Sequence, residues 1–189
     1  MQAEKRELTI LFCDVLGSTR LADVLNLDDF VEIMQRYHRC ANQTITVQYG
    51  YVMQHLGDGV MAYFGYPAAF DKAPINAVQA ALNLLDEIQI VKDYAVSKFA
   101  LDFDIRISIH TGDVIMADLG LGDRKERLAL GDAPNISARL QGLAPKNGIA
   151  ISQDTYQKVQ EHFDFELLGS HLLKGLSKTI SVYRPVGKK

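Results

Sequence analysis

The stretch Leu8-Thr-Ile-Leu-Phe-Cys-Asp-Val-Leu-Gly-Ser-Thr19 decides the fold, because it reads as an apolar strand that delivers a carboxylate to a helix-opening turn. Leu8 to Phe12 are apolar or β-branched almost without a break, the pattern of a strand covered on both faces of a sheet. Asp14 ends that run. A carboxylate there needs an ion pair, hydrogen bonds or a cation, since leaving it desolvated and alone costs several kcal/mol. Gly17 then relaxes the backbone, and Ser18 or Thr19 is expected to cap a helix whose free N–H groups point back toward the same spot. One strand end thus offers a cation site beside a phosphate site.

Downstream, Asp28 to Val47 places Phe30, Ile33, Met34, Tyr37, Ala41, Thr44 and Ile45 at helical spacing, with His38 expected on its solvated surface. Tyr51–Leu56 and Val60–Phe64 then flank Gly57-Asp58-Gly59, a hairpin signal because Asp-Gly supplies positive φ. Taken alone, Asp58 is a turn residue. With glycine on both sides and Asp14 ending a neighbouring strand, two carboxylates on adjacent strands would make a Mg²⁺ or Mn²⁺ site.

Asp71 is a candidate cap, with Pro74 in the first turn, for a helix carrying Ala77, Val78, Ala81, Leu82, Leu85 and Ile88. Phe103–His110 alternates strictly, so Asp104, Arg106, Ser108 and His110 face away from the helix-covered core. Arg106 there is either solvated or ion-paired, or an anion contact at a polar sheet face or interface. Thr111-Gly112-Asp113 reads as a turn into Val114–Met116, and the charged, glycine-bearing Gly120–Arg127 as a projecting loop or ribbon. Asp132 is a candidate cap with Pro134 following, and Asn135 and Arg139, four apart, share one helical face. Gly148–Ile151 reads as a strand, Ser152 as the cap of a last helix, and Phe163–Leu168 and Ile180–Tyr183 as strands.

The 189 residues, 48% hydrophobic and 23% charged, suit one globular domain spanning 1–189, without repeats or linkers. No run is long and apolar enough for a membrane span and the start is not a signal peptide, so the cytoplasm is the expected location. Cys13 and Cys40 are expected as reduced thiols rather than a disulfide or metal pair. A formal net charge of −3 argues against a nucleic-acid surface.

Four blocks in order carry a family likeness: Phe12–Thr19, Leu56–Phe64, Arg106–Gly112 and Gly131–Leu140. Together they resemble the class III adenylate/guanylate cyclase catalytic domain, of the bacterial type found ahead of ATPase and repeat regions. The likeness runs from about Glu7 to Arg184. It implies an α/β (α+β) ferredoxin-like nucleotide cyclase fold, a βαββαβ core with helices packed on a mixed, mainly antiparallel sheet. It also implies a homodimer with active sites at the interface, making cyclic AMP and pyrophosphate from ATP, with GTP as the alternative substrate.

On that likeness Asp14 and Asp58, with the carbonyl of Val15, match the ligands of two Mg²⁺ or Mn²⁺ ions per site. Gly17, Ser18, Thr19, Arg106 and Lys174 match triphosphate contacts. Asn135 and Arg139 match the pair that orients the ribose and stabilises the transition state, supplied in the family by the other subunit. Two positions depart from the pattern, and both concern the base. Gln54 stands four residues before Asp58, where the family has a purine-selecting lysine, and Leu128 stands three before Gly131, where it has an aspartate or threonine. An amide both donates and accepts, whereas Leu128 does neither. These departures imply weak purine selectivity or low activity; the alternative is a catalytically weak or inactive module that binds nucleotide or dimerises to regulate attached domains.

Overall fold

The computed structural model describes residues 4–119, 126–173, 175 and 179–189. Strand β1 (Glu4–Leu16) lies mid-sheet, antiparallel to both β3 (Gly59–Phe64) and β4 (Asp104–Leu119). β2 (Tyr51–Leu56) extends the sheet past β3. On the other side follow β6 (Gly148–Ser152), β8 (Ile180–Lys188) and β7 (Phe163–His171), giving the order β2-β3-β1-β4-β6-β8-β7. A further strand, β5 (Glu126–Leu130), pairs with the far end of β4. The β4–β6 pairing is parallel and the others are antiparallel. The stretch β2-β3-β1-β4 is the ferredoxin-like order of a βαββαβ core, as the family likeness implies.

Helices α1 (Ser18–Val24), α2 (Leu27–Val47), α3 (Ala73–Phe99) and α5 (Gln153–Val159) cover one face, and α4 (Asp132–Leu140) covers the other. The period-two pattern of β1 explains why both faces need cover. Leu11, Cys13 and Val15 pack against Ile33, Tyr37 and Ile45 of α2 and Ala77, Leu84 and Ile88 of α3. Leu8 and Ile10 point the other way, into a smaller cluster with Met61, Tyr63, Val114, Met116, Ala129 and Ala133. Both cysteines are free; burial pushes the Cys13 thiol up to about 12, leaving it an inert core group that accepts a hydrogen bond from Tyr37 Oη at 3.3 Å. Among the described residues no helix is long and apolar enough to cross a membrane.

Several local expectations are corrected. Gly17, not Ser18 or Thr19, is the N-cap of α1, at φ 76°. Lys72 and Gly131, not Asp71 and Asp132, occupy the N-cap positions of α3 and α4. Ser152 does cap α5, its Oγ accepting from Thr155 N–H at 3.3 Å. Thr111-Gly112-Asp113 is no turn: it stays in β4, paired with Thr9, Leu8 and Glu7, because β1 begins early enough to oppose it throughout. Of the expected loop or ribbon, residues 126 and 127 lie in β5, in keeping with the ribbon alternative, while 120–125 fall outside the described residues.

Glycine at 112 serves close approach. A Cβ there would lie 2.9 Å from His110 Nε2 and 3.2 Å from Ala133 Cβ, at the docking point of α4. Gly112→Ala is therefore expected to cost about 1–3 kcal/mol through overpacking, read as a lowered midpoint in denaturant with an unchanged slope. An unaltered midpoint would contradict tight seating of α4.

Candidate active site

The ladder brings three chemical groups to one strand end. Asp14 lies opposite Gly59 of β3 and opposite Arg106 of β4, so one neighbour delivers the Gly57–Asp58 turn and the other a guanidinium. Arg106 Nη2 donates to Asp14 Oδ2 at 3.3 Å. The ion-paired reading of Arg106 therefore holds, at a carboxylate the sequence singled out. Asp14 Oδ1 is buried without a hydrogen-bond partner among the described residues. Burial pushes the Asp14 carboxyl up, the Arg106 charge and hydrogen bond pull it down, and nearby Asp58 pushes it up; the outcome is a carboxyl raised from its ordinary value.

A buried carboxylate oxygen with nothing to bond, beside a second carboxylate, is a donor set suited to a hard divalent cation. No group of three or more His, Cys, Asp or Glu gathers as a metal cluster among the described residues. Two carboxylates, the Val15 carbonyl, substrate oxygens and water would together make an oxygen shell of the kind Mg²⁺ and Mn²⁺ take. The Val15 side chain is buried in the main core, which anchors that carbonyl at the strand end. Ser18 and Thr19, in the first turn of α1, line a cleft of about 480 Å³ together with Asp58, Phe30, Met34 and His38.

Asn135 and Arg139 sit apart from this group. Helix α4 is pinned through Ser137, whose Oγ donates to Ile10 O at 2.9 Å and whose carbonyl accepts from Ser108 Oγ at 2.7 Å. Ala133, Ser137 and Leu140 point inward, so Asn135 and Arg139, two positions round the helix, point out and are exposed. Asn135 Nδ2 donates to Gly131 O at 3.4 Å, and the Arg139 guanidinium lies over Gly175, where a Cβ would meet it at 3.4 Å. Among the described residues no hydrogen bond or ion pair joins them to Asp14, Asp58 or Arg106. Lys174 lies outside the described residues.

The two base positions lie on β2 and β5. A bulge between Val52 and Gln54 puts Gln54 opposite Met61, a residue of the smaller cluster, and leaves it exposed. Leu128 lies half-buried on β5 next to Ala129, whose N–H donates to Tyr63 Oη of β3 at 3.4 Å.

The family model for the adenylate and guanylate cyclase catalytic domain matches residues 1–184. The chain belongs to that family. An adenylate cyclase of Anabaena cylindrica is 28% identical over 190 residues, covering 96% of this chain and 37% of the relative, so the chain spans little over a third of that protein. The fold matches the crystal structure of the adenylyl cyclase CyaB from P. aeruginosa with a TM-score of 0.95, at 22% identity over 100% of this chain and 98% of that one. It matches the guanylyl cyclase Cya2 with a TM-score of 0.93, at 21% identity over 100% and 96%.

One residue behind the candidate site escaped the sequence. His38, expected to be solvated, is half-buried, and its Nε2 bonds the Gly57 carbonyl at 2.9 Å. The signal was its spacing: Phe30, Met34 and His38 recur every four residues, on the flank that lines the cleft beside Asp58.

Proposed function

We propose that this cyclase domain converts ATP into 3′,5′-cyclic AMP and pyrophosphate as a homodimer with shared sites. The observation that carries the reading is Asp14 Oδ1, buried and without a partner among the described residues, beside Asp58. Asp14, Asp58 and the Val15 carbonyl would hold two Mg²⁺ or Mn²⁺ ions. When bound, these supply a lowered pKa for the ribose 3′-hydroxyl and neutralise charge on the triphosphate. Arg106, Lys174 and the N–H groups of Gly17, Ser18 and Thr19 hold the triphosphate so that the 3′-oxygen attacks the α-phosphorus in line and pyrophosphate leaves. Asn135 orients the ribose, and Arg139 stabilises the charge that builds on the α-phosphoryl oxygens. Both point outward from their own protomer, which supports their serving the site of a second copy. The adenylate cyclase of Anabaena cylindrica supports ATP as substrate.

Base recognition tests the substrate. The Gln54 amide serves adenine or guanine by turning over, and Leu128 offers neither base a hydrogen bond. Incubation with ATP and with GTP in Mn²⁺, read by mass spectrometry, is expected to give cyclic AMP with modest preference over cyclic GMP. Restoring both partners by Gln54→Lys with Leu128→Asp is expected to raise the ATP-over-GTP ratio of kcat/KM by roughly tenfold to a hundredfold, the worth of one or two placed hydrogen bonds. An unchanged ratio would contradict these two positions as base readers. Because Leu128 cannot bond a base, a second reading is a regulatory module that binds nucleotide without turnover; measurable ATP binding with no cyclic product would favour it.

A further inference from the structure

The turn that carries Asp58 is poorly constrained by its own sequence. Gly57, at φ 66°, and Gly59 flank the aspartate, so the backbone on either side lacks side-chain restraint. A tether reaches the turn from outside the hairpin: His38 Nε2 lies 2.9 Å from the Gly57 carbonyl. A carbonyl only accepts, so Nε2 carries the proton. His38 Nδ1 is buried and has no partner among the described residues, so a second proton there would have nothing to bond. The ring is thereby held as the neutral Nε2–H tautomer. It stands edge-on to the His55 ring at 4.8 Å and tilted against Tyr37 at 5.0 Å, and His55 Nε2 is in turn bonded to Asn42 Oδ1 at 3.0 Å. Packing thus fixes the ring plane, and the ring fixes the carbonyl.

We infer that His38 is a positioning residue whose Nε2–H clamps the Gly57–Asp58 turn onto α2 and so sets the Asp58 carboxylate beside Asp14. The inference rests on the metal reading of Asp14 and Asp58. His38 does not touch substrate or reacting atoms; it acts as groups behind metal ligands commonly do, by fixing a ligand's direction.

The test is titration of Mn²⁺ alone, without nucleotide, into the wild-type chain, His38→Ala, His38→Gln and Asp58→Ala, with free Mn²⁺ read by electron paramagnetic resonance. His38→Ala is expected to weaken Mn²⁺ binding by about tenfold or more, the usual effect of losing a group that orients a ligand. His38→Gln, whose amide N–H can donate to the same carbonyl, is expected to recover most of that loss. In turnover, the alanine variant is expected to raise the half-saturating Mn²⁺ concentration while largely keeping kcat at saturating metal. Wild-type affinity in His38→Ala, with Asp58→Ala weakened, would overturn the inference alone. Equal losses in the alanine and glutamine variants, with equal falls in unfolding temperature, would make His38 a packing residue and also overturn it. A wild-type chain that binds no Mn²⁺ would overturn the metal reading, and the inference with it.

Discussion

Asp14→Asn is expected to remove cyclic nucleotide formation, by about a thousandfold or more, without unfolding the domain. Losing a metal ligand forfeits several kcal/mol of charge stabilisation in phosphoryl transfer, and each 1.36 kcal/mol is about a factor of ten. Stability should move the other way. Burial raises the Asp14 carboxyl despite Arg106, so the ionised group costs stability in the metal-free fold. Asparagine keeps the shape and removes that charge, and Arg106, whose side chain is 25% exposed, retains water as a partner. In metal-free buffer the variant is expected to unfold at the wild-type temperature or above it, and added Mn²⁺ should raise the wild-type value alone. A variant that still cyclises, or one that gains from Mn²⁺ as the wild type does, would contradict the assignment.

The second large effect is rescue by mixing. Asp58→Ala and Arg139→Ala are each expected to be inactive, but they damage opposite halves of a shared site. In a heterodimer of the two, one site carries both lesions and the other carries neither. Random exchange makes half of the dimers mixed, with one intact site of two, so a 1:1 mixture should regain about a quarter of wild-type activity. The geometry behind this is the outward direction of Asn135 and Arg139, set by Ser137 anchoring the opposite side of α4. No recovery from a mixture shown to form mixed dimers would place a whole site in one chain.

What could be read in advance followed local physics. The apolar run around Leu11 required a covered strand, and Asp14 at its end required a partner; both follow from neighbours in the chain. The Asp-Gly hairpin and the shared face of Asn135 and Arg139 were legible for the same reason, since turn chemistry and helical period are local. What failed depended on partners distant in sequence. Thr111-Gly112-Asp113 carries turn residues, yet β1 pairs across it, and the glycine answers to α4 instead. Strand β5 was legible only as the ribbon alternative at Glu126 and Arg127, because Glu126-Arg-Leu-Ala-Leu130 opens on two charges and gains strand structure by pairing with β4. Alternation showed that Arg106 leaves the main core, but not that it pairs with a carboxylate of this chain; the register with Asp14 supplies that. His38 had a helical spacing but no visible partner, because the Gly57 carbonyl lies 19 residues away.

The most direct test of the central claim is incubation of the purified chain with ATP and Mn²⁺, measuring nucleotide and pyrophosphate products together. Cyclic AMP and pyrophosphate in equal amounts, lost in Asp14→Asn, are the predicted result. Release of ADP or AMP, or no product at all from a folded dimer that binds Mn²⁺, would contradict it.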